Sequence, residues 1–430
     1  MKPEDAPKDE EEKAEPESSE QLVAGDVIGD TAYSERFVLK ILLKLANLDT
    51  LKEEIKEKSF EDDLCTLWDM TAERDVVLFL EKHDILKLFY FALPVIESPR
   101  FIEIIVGIIG NLSCHRNVVS DLMKMEKFLE LLLDYMKSDD SLVLIQVLRL
   151  VNSSLFLAPD AHVTTLMDLF QKTDYASTLY FILKNSSSKE LLVTAIENFN
   201  TLCSYCNTEK TRLLFFTNFL KKEAIESLVA GFTEIIVNQK DSCEQDELER
   251  VLVITFQIVL NLVGFDKSQD IYIECAEDVA NMIHQALCYY ERKLINLKEI
   301  DSDVIDILDS SITIVNVLKI TCDPSKYFKP CHRMWKAVSL ILKNTKNGNT
   351  FEQDDREELT AYTRNIVNPL STLICVYLKT CTEEELHKIL DDIGEEYERI
   401  VGGVKDKEVK AEVSKRTENY RTRLKENVDS

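Results

Sequence analysis

GIIGNLSC, Gly107–Cys114, is the stretch on which the fold turns: an apolar run, spaced as a helix, leads directly into an asparagine. The arrangement returns as RLVNSSLF at Arg149–Phe156, QIVLNLVG at Gln257–Gly264 and TIVNVLKI at Thr313–Ile320. Asn111 and Asn152 stand 41 residues apart, the period of stacked helical repeats of the armadillo and HEAT type. Such chains bury their core between neighbouring repeats and expose long faces suited to binding other proteins. The expected fold is all-α, an armadillo/HEAT-like right-handed superhelix (α-solenoid) of about five to seven repeats, with a disordered acidic N-terminal tail.

Before Asn111, LCTLWDMTAERDVVLFLEKHDILKLFYFAL (Leu64–Leu93) has the same order of parts, and Asp69 falls 42 residues ahead of Asn111. It reads as an earlier repeat with aspartate in the asparagine's place, next to Trp68. After Asn152, LLVTAIENFNTLCSY (Leu191–Tyr205) opens another unit, in which Asn198 and Asn200 both fit. The spacing then widens towards Asn261 and Asn316. The excess is assigned to an insertion at Asn238–Glu249 and a lengthened helix around Ile283–Leu297, since insertions in a solenoid map to loops. Pro369 should kink or split a helix over Leu359–Leu378, after a polar, mobile loop at Lys343–Arg356. Glu384–Val401 reads as an amphipathic capping helix ended by Gly402-Gly403. The expected organisation is an acidic tail over 1–22, a repeat domain over 23–400, and a charged C-terminal tail or capping helix over 401–430.

Composition agrees. Ten glycines and nine prolines in 430 residues are too few for an all-β chain of many tight turns. The formal charge of −26 repels nucleic-acid backbones and anionic membranes and attracts basic partners, so neither nucleic acid nor membrane is expected as a partner. Met1–Glu20 has no apolar core of the kind a secretory signal needs. With no long apolar run either, residence in the nucleus and/or cytoplasm is expected, without secretion. Eleven scattered cysteines fit core thiols of a reducing compartment.

The recurring asparagines admit two readings. In one, each amide bonds backbone in a neighbouring turn and fixes the stacking. In the other, Asn111, Asn152, Asn261 and Asn316, with Asp69 and Trp68, line a groove and offer donor and acceptor to an extended peptide. Nuclear-import adaptors of the armadillo class carry a tryptophan four residues before the groove asparagine; here those positions hold Gly107, Leu148, Gln257 and Ile312. Import-signal reading by that mechanism is not expected. Cys203-x-x-Cys206 lacks further ligands for zinc and a βαβ context for redox work. No phosphate-binding glycine loop, GxSxG or HExxH occurs. No catalytic residue, cofactor or metal is expected, and the chain is read as a non-enzyme. The sequons at Asn111, Asn152 and Asn185 are expected to stay idle.

Three segments resemble the serum amyloid A-like protein 1 family: GDVIGDTAYSERF at Gly25–Phe37, LCTLWDMTAERDVVLFL at Leu64–Leu80 and SPRFIEIIVGIIGNLSC at Ser98–Cys114. The resemblance implies an armadillo-type helical fold, no enzyme activity, nuclear or nucleocytoplasmic residence and a link to cell proliferation. Trp68, Asp69, Gly107, Gly110 and Asn111 match its pattern; as packing residues, Trp68 would anchor the core and the glycines would permit close helix crossings. The function expected is a protein-interaction scaffold or adaptor that binds a basic or extended segment of a protein partner. A chaperone-associated solenoid, gripping a heat-shock ATPase as a nucleotide-exchange factor does, is the alternative.

Overall fold

The computed structural model describes residues 26–205, 208–265, 267–297, 302–320, 324–347 and 353–428. The expected acidic tail over 1–22 lies outside them. The chain divides into two compact units, Met1–Ile108 and Ile109–Ser430.

The first unit holds α1 (Glu35–Ala46), α2 (Leu48–Glu54), α3 (Lys58–Met70), α4 (Arg74–Lys82), α5 (Ile85–Ala92) and most of α6 (Pro99–Leu112). The apolar stretch after Ala72 forms two helices, α4 and α5, because Asp84 takes a left-handed turn at φ 53° that aspartate tolerates better than most residues. The Gly25–Phe37 motif, from Asp26 onward, is a clasp. The Asp26 carboxylate accepts from the Ser34 hydroxyl at 2.8 Å and the Arg36 N–H at 3.0 Å. Ser34 in turn accepts from the Phe37 N–H and caps α1. The Asp30 N–H donates to Asp75 on α4 at 2.9 Å, beside a turn in which Gly29 has φ +54°. On α6, the Arg100 guanidinium binds Glu103 at 2.7 Å and reaches Glu61 of α3 at 3.3 Å.

The second unit repeats a three-helix order: α7 (Arg116–Lys124), α8 (Glu126–Asp134), α9 (Ser141–Leu157); α10 (Asp160–Thr173), α11 (Tyr175–Asn185), α12 (Lys189–Ser204); α13 (Glu209–Phe219), α14 (Lys222–Thr233), α15 (Gln245–Val263); α16 (Ser268–Tyr272), α17 (Ala276–Arg292), α18 (Asp303–Leu318). Then come α19 (Pro324–Asn347), α20 (Gln353–Thr380), α21 (Glu383–Ile393), α22 (Tyr397–Gly403) and α23 (Lys407–Val428). Third helices stack on third helices, α9 on α12, α12 on α15, α15 on α18 and α18 on α20. A second layer runs α11, α14, α17, α19. The third helices are covered on several sides, so their apolar residues run together instead of forming one stripe; Val143–Leu148 of α9 is buried without a gap. There is no strand among the described residues, and the expected all-α stacked-helix class is borne out.

The insertion at 238–249 is tied down. A π-helical turn, Glu234–Asn238, leads through a 3-10 turn, Lys240–Ser242, into α15. Lys189 of α12 reaches the Ser242 carbonyl at 3.2 Å and Glu247 at 2.8 Å. Glu249 takes the Lys293 ammonium at 2.6 Å, both side chains being largely buried, and the Tyr289 hydroxyl at 2.9 Å.

Three expectations near the C-terminus are corrected. Pro369 does not split its helix: α20 is continuous through it. The polar stretch 343–356 is shortened from both sides, since α19 reaches Asn347 and α20 starts at Gln353; residues 348–352 lie outside the described ones. The capping helix ends earlier than expected, at Ile393, because Gly394 turns the chain at φ +44°, while a separate short helix, α22, ends at Gly402-Gly403 where a break was expected.

Within 401–430, α23 packs on α20, and Arg416 donates to the carbonyls of Leu378, Lys379 and Cys381 where α20 ends. Those carbonyls lack helical partners. Arg416→Ala is expected to cost about 1–3 kcal/mol and to speed amide hydrogen exchange across α23, read peptide by peptide by mass spectrometry. No single helix among the described residues is long and apolar enough to cross a membrane.

Candidate functional site

The six candidate residues lie near the ends of the third helices, but they are not equivalent. Trp68 and Asp69 end α3 in the first unit, the former half-buried and the latter exposed. In the second unit, Asn111 and Asn152 are half-buried on α6 and α9, while Asn261 on α15 and Asn316 on α18 are exposed. Trp68 packs where the sequence put a glycine: a Cβ added at Gly107 would sit 2.8 Å from its Cη2 and closer still to the ring's fused edge. The space at the position where an import adaptor has its tryptophan is thus filled by Trp68, from the preceding third helix. Gly110 meets no such neighbour.

Asn198 and Asn200, which both fit the motif, differ in burial. Asn198 is fully buried, and its amide is a junction. Nδ2 donates to Asn152 Oδ1 at 2.9 Å and to the Leu148 carbonyl at 3.2 Å, while Oδ1 accepts from the buried Tyr175 hydroxyl at 2.9 Å. This amide joins α9, α11 and α12, which is the stacking role. Asn200 is half-buried, and its Oδ1 is enclosed without a protein hydrogen-bond partner. Of the three sequon asparagines, Asn111 and Asn152 are half-buried within α6 and α9, and Asn185 is exposed at the end of α11.

On the solvent side of the same layer runs a polar stripe. Arg149, Asn152 and Ser153 of α9 are followed on α12 by Glu197, Thr201 and Ser204, on α15 by Gln257 and Asn261, and on α18 by Asp306, Asp309, Thr313 and Asn316. Spacings of three and four residues keep each set on one helix face. Glu197 is bridged by Arg250 at 3.2 Å. Burial, and then the neighbouring Asp306, push the Asp309 carboxyl above the ordinary carboxylate range, with Lys405 working against them. Asp309→Asn is therefore expected to raise stability at neutral pH by a few tenths of a kcal/mol, the size of a like-charge helical pair. Because the folded-state pKa is raised, the penalty belongs to high pH. The variant's advantage, read from urea midpoints, should vanish as pH falls below the unfolded-state pKa of an aspartate.

Where α9 and α12 end, the stripe opens into a cleft of about 450 Å³ lined by Cys114, Asn152, Ser153, Phe156, Leu157, Thr201 and Tyr205. Phe156 is 68% exposed, and its ring meets Tyr205 edge-on with centroids 6.1 Å apart. The Cys114 thiol, exposed, lies 3.9 Å from the Ser153 hydroxyl. Sequence reasoning missed this cleft. Its only trace was the aromatic closing RLVNSSLF.

The other thiols differ. Burial pushes Cys275 up to about 11 and Cys375 up to about 12, and Cys331 higher still. Iodoacetamide at pH 8 is expected to label Cys114 well ahead of these three in the folded chain, as residue-resolved mass mapping would check. Cys206 lies outside the described residues, so the expectation about Cys203-x-x-Cys206 is not addressed by geometry. Among the described residues no group of three or more His, Cys, Asp or Glu is placed to hold a metal ion.

No family model matches the chain. Protein SAAL1 of Mus musculus is 29% identical over 188 residues, covering 41% of this chain and 40% of the relative. Protein saal1 of Danio rerio is 29% identical over 187 residues, 42% and 39% of the two chains, and Protein SAAL1 of Homo sapiens 29% over 183 residues, 40% and 38%. The match spans 38–40% of the length of these curated relatives. The resemblance to serum amyloid A-like protein 1 is borne out: this chain is similar to proteins of that name. Among solved structures, an engineered protein aligns over 90% of this chain and 99% of its own at 14% identity with a TM-score of 0.29, too low to carry any argument.

Proposed function

We propose that this chain is a non-enzymatic scaffold or adaptor whose polar stripe on α9, α12, α15 and α18 holds an extended, basic segment of a protein partner. The observation that carries this reading is the exposure of Asn261 and Asn316 on stacked helices, where folding makes no use of their amides. An exposed amide supplies one donor and one acceptor, the complement of an extended peptide backbone. Asp306 and Asp309 supply the sign: burial first, and then repulsion from Asp306, raise Asp309, and a cation placed near the pair relieves the second of these. The net charge of −26 steers basic partners towards the chain at long range. Residence in the nucleus or cytoplasm and a role in regulating cell proliferation belong to the same proposal and rest on the likeness to the SAAL1 proteins. No observation favours the chaperone-associated alternative.

The test is affinity capture from nuclear and cytoplasmic extracts at low and high salt, comparing wild type with Asn261→Ala/Asn316→Ala. These two positions are exposed, so the variant should fold as the wild type does. A partner captured at low salt, reduced at high salt and lost in the variant is the expected result. Partners unchanged by both would refute the stripe.

A further inference from the structure

We propose that the cleft closed by Phe156 and Tyr205 is a receptor for one arginine or lysine side chain of the bound segment, an assignment that rests on the scaffold reading above. The cleft is lined by the last turns of α9 and α12 with Cys114 just beyond α6, and among the described residues none of α7, α10 or α13 lines it. A helix C-terminus carries roughly half a negative charge. None of α6, α9 and α12 has a basic side chain in its last turn to offset it. Among the described residues, no lining residue is itself charged. The site therefore presents partial negative charge, an edge-to-face aromatic pair and the apolar wall of Leu157. That combination suits a side chain with an aliphatic stem and a cationic head that stacks on aromatic rings.

The amide beside the cleft fixes how the segment would lie. Asn152 Oδ1 is taken by Asn198, so the outward group of Asn152 is its Nδ2, a donor. It meets a backbone carbonyl of the segment next to the anchoring residue. Arg149, two turns back on the same stripe, sets a boundary: seven residues of helix place it about 10 Å from Phe156, and a second cation of the segment is disfavoured there.

The probe is a fluorescein-labelled decapeptide of alternating arginine and serine, against its isosteric neutral counterpart with citrulline for arginine. Two readouts are taken on the full chain at low ionic strength: the Kd from fluorescence anisotropy, and the rate of Cys114 alkylation by iodoacetamide, with Cys65 in the other unit as reference. The arginine peptide is expected to bind and to slow alkylation at Cys114 but not at Cys65; the citrulline peptide should do neither. Phe156→Ala is expected to weaken binding about fivefold, the loss of one cation–π contact, whereas Tyr205→Phe, which keeps the ring, should leave it unchanged. Equal behaviour of the two peptides would overturn recognition of charge. Arginine-peptide binding that leaves Cys114 unprotected and ignores Phe156→Ala would overturn the cleft while the scaffold reading stands. No arginine-peptide binding at all would overturn both.

Discussion

Asn198→Leu lowers the unfolding free energy by about 2–4 kcal/mol, the largest effect expected of any asparagine in the chain. The replacement fills the space but leaves the Tyr175 hydroxyl, the Leu148 carbonyl and the inward face of Asn152 without their partner. Each stranded polar group costs about 1–3 kcal/mol when water cannot reach it, and local relaxation recovers part of that. Tyr175→Phe in the same chain should cost less than it does alone, because its hydroxyl then has no bond left to lose. Asn261→Ala and Asn316→Ala should each fall within about 0.5 kcal/mol of wild type, as exposed substitutions usually do. Urea midpoints on Asn198→Leu, Tyr175→Phe, their double variant, Asn261→Ala and Asn316→Ala check the ordering.

The second large effect is at Gly107. Glycine to alanine inside a helix ordinarily stabilises by about 0.5–1 kcal/mol. Here the new methyl group enters the Trp68 ring, and overpacking of that kind costs about 1–3 kcal/mol. Gly107→Ala is expected to destabilise the first unit and shift Trp68 fluorescence, with Trp335, fully enclosed in the second unit, as the unchanged background. Trp68→Leu combined with Gly107→Ala should be more stable than Gly107→Ala alone. If Gly107→Ala proves stabilising, Trp68 does not occupy that space.

Much of this architecture was legible in the chain because the repeat is written around one position. The 41-residue interval from Asn111 to Asn152 announced a repeat of third helices, and within the second unit α9, α12, α15 and α18 stack in that order. What was hidden is which side of a third helix an asparagine faces. Asn198 and Asn200 are two residues apart, about 200° around a helix, so one faces inward and the other does not. Apolar residues surround both, because neighbours cover α12 on most sides, and periodicity therefore does not choose. The cleft was hidden for another reason: Phe156 and Tyr205 are 49 residues apart and meet only through stacking. Gly402-Gly403 does close a helix, α22, but Gly394, at φ +44°, had already ended the capping helix at Ile393.

These placements divide the asparagines: Asn198 holds the stack, Asn152 bridges, and Asn261 and Asn316 are exposed, where the proposal has them engage a partner. The measurement that tests this division most directly is site-specific photo-crosslinking in cells. One benzoylphenylalanine is placed at Gln257, exposed on the stripe, and another at Leu213, 66% exposed on α13 outside it. The account predicts a discrete higher-mass product from Gln257 and none from Leu213. A product from Leu213 with none from Gln257 would place the partner on another face and contradict the stripe.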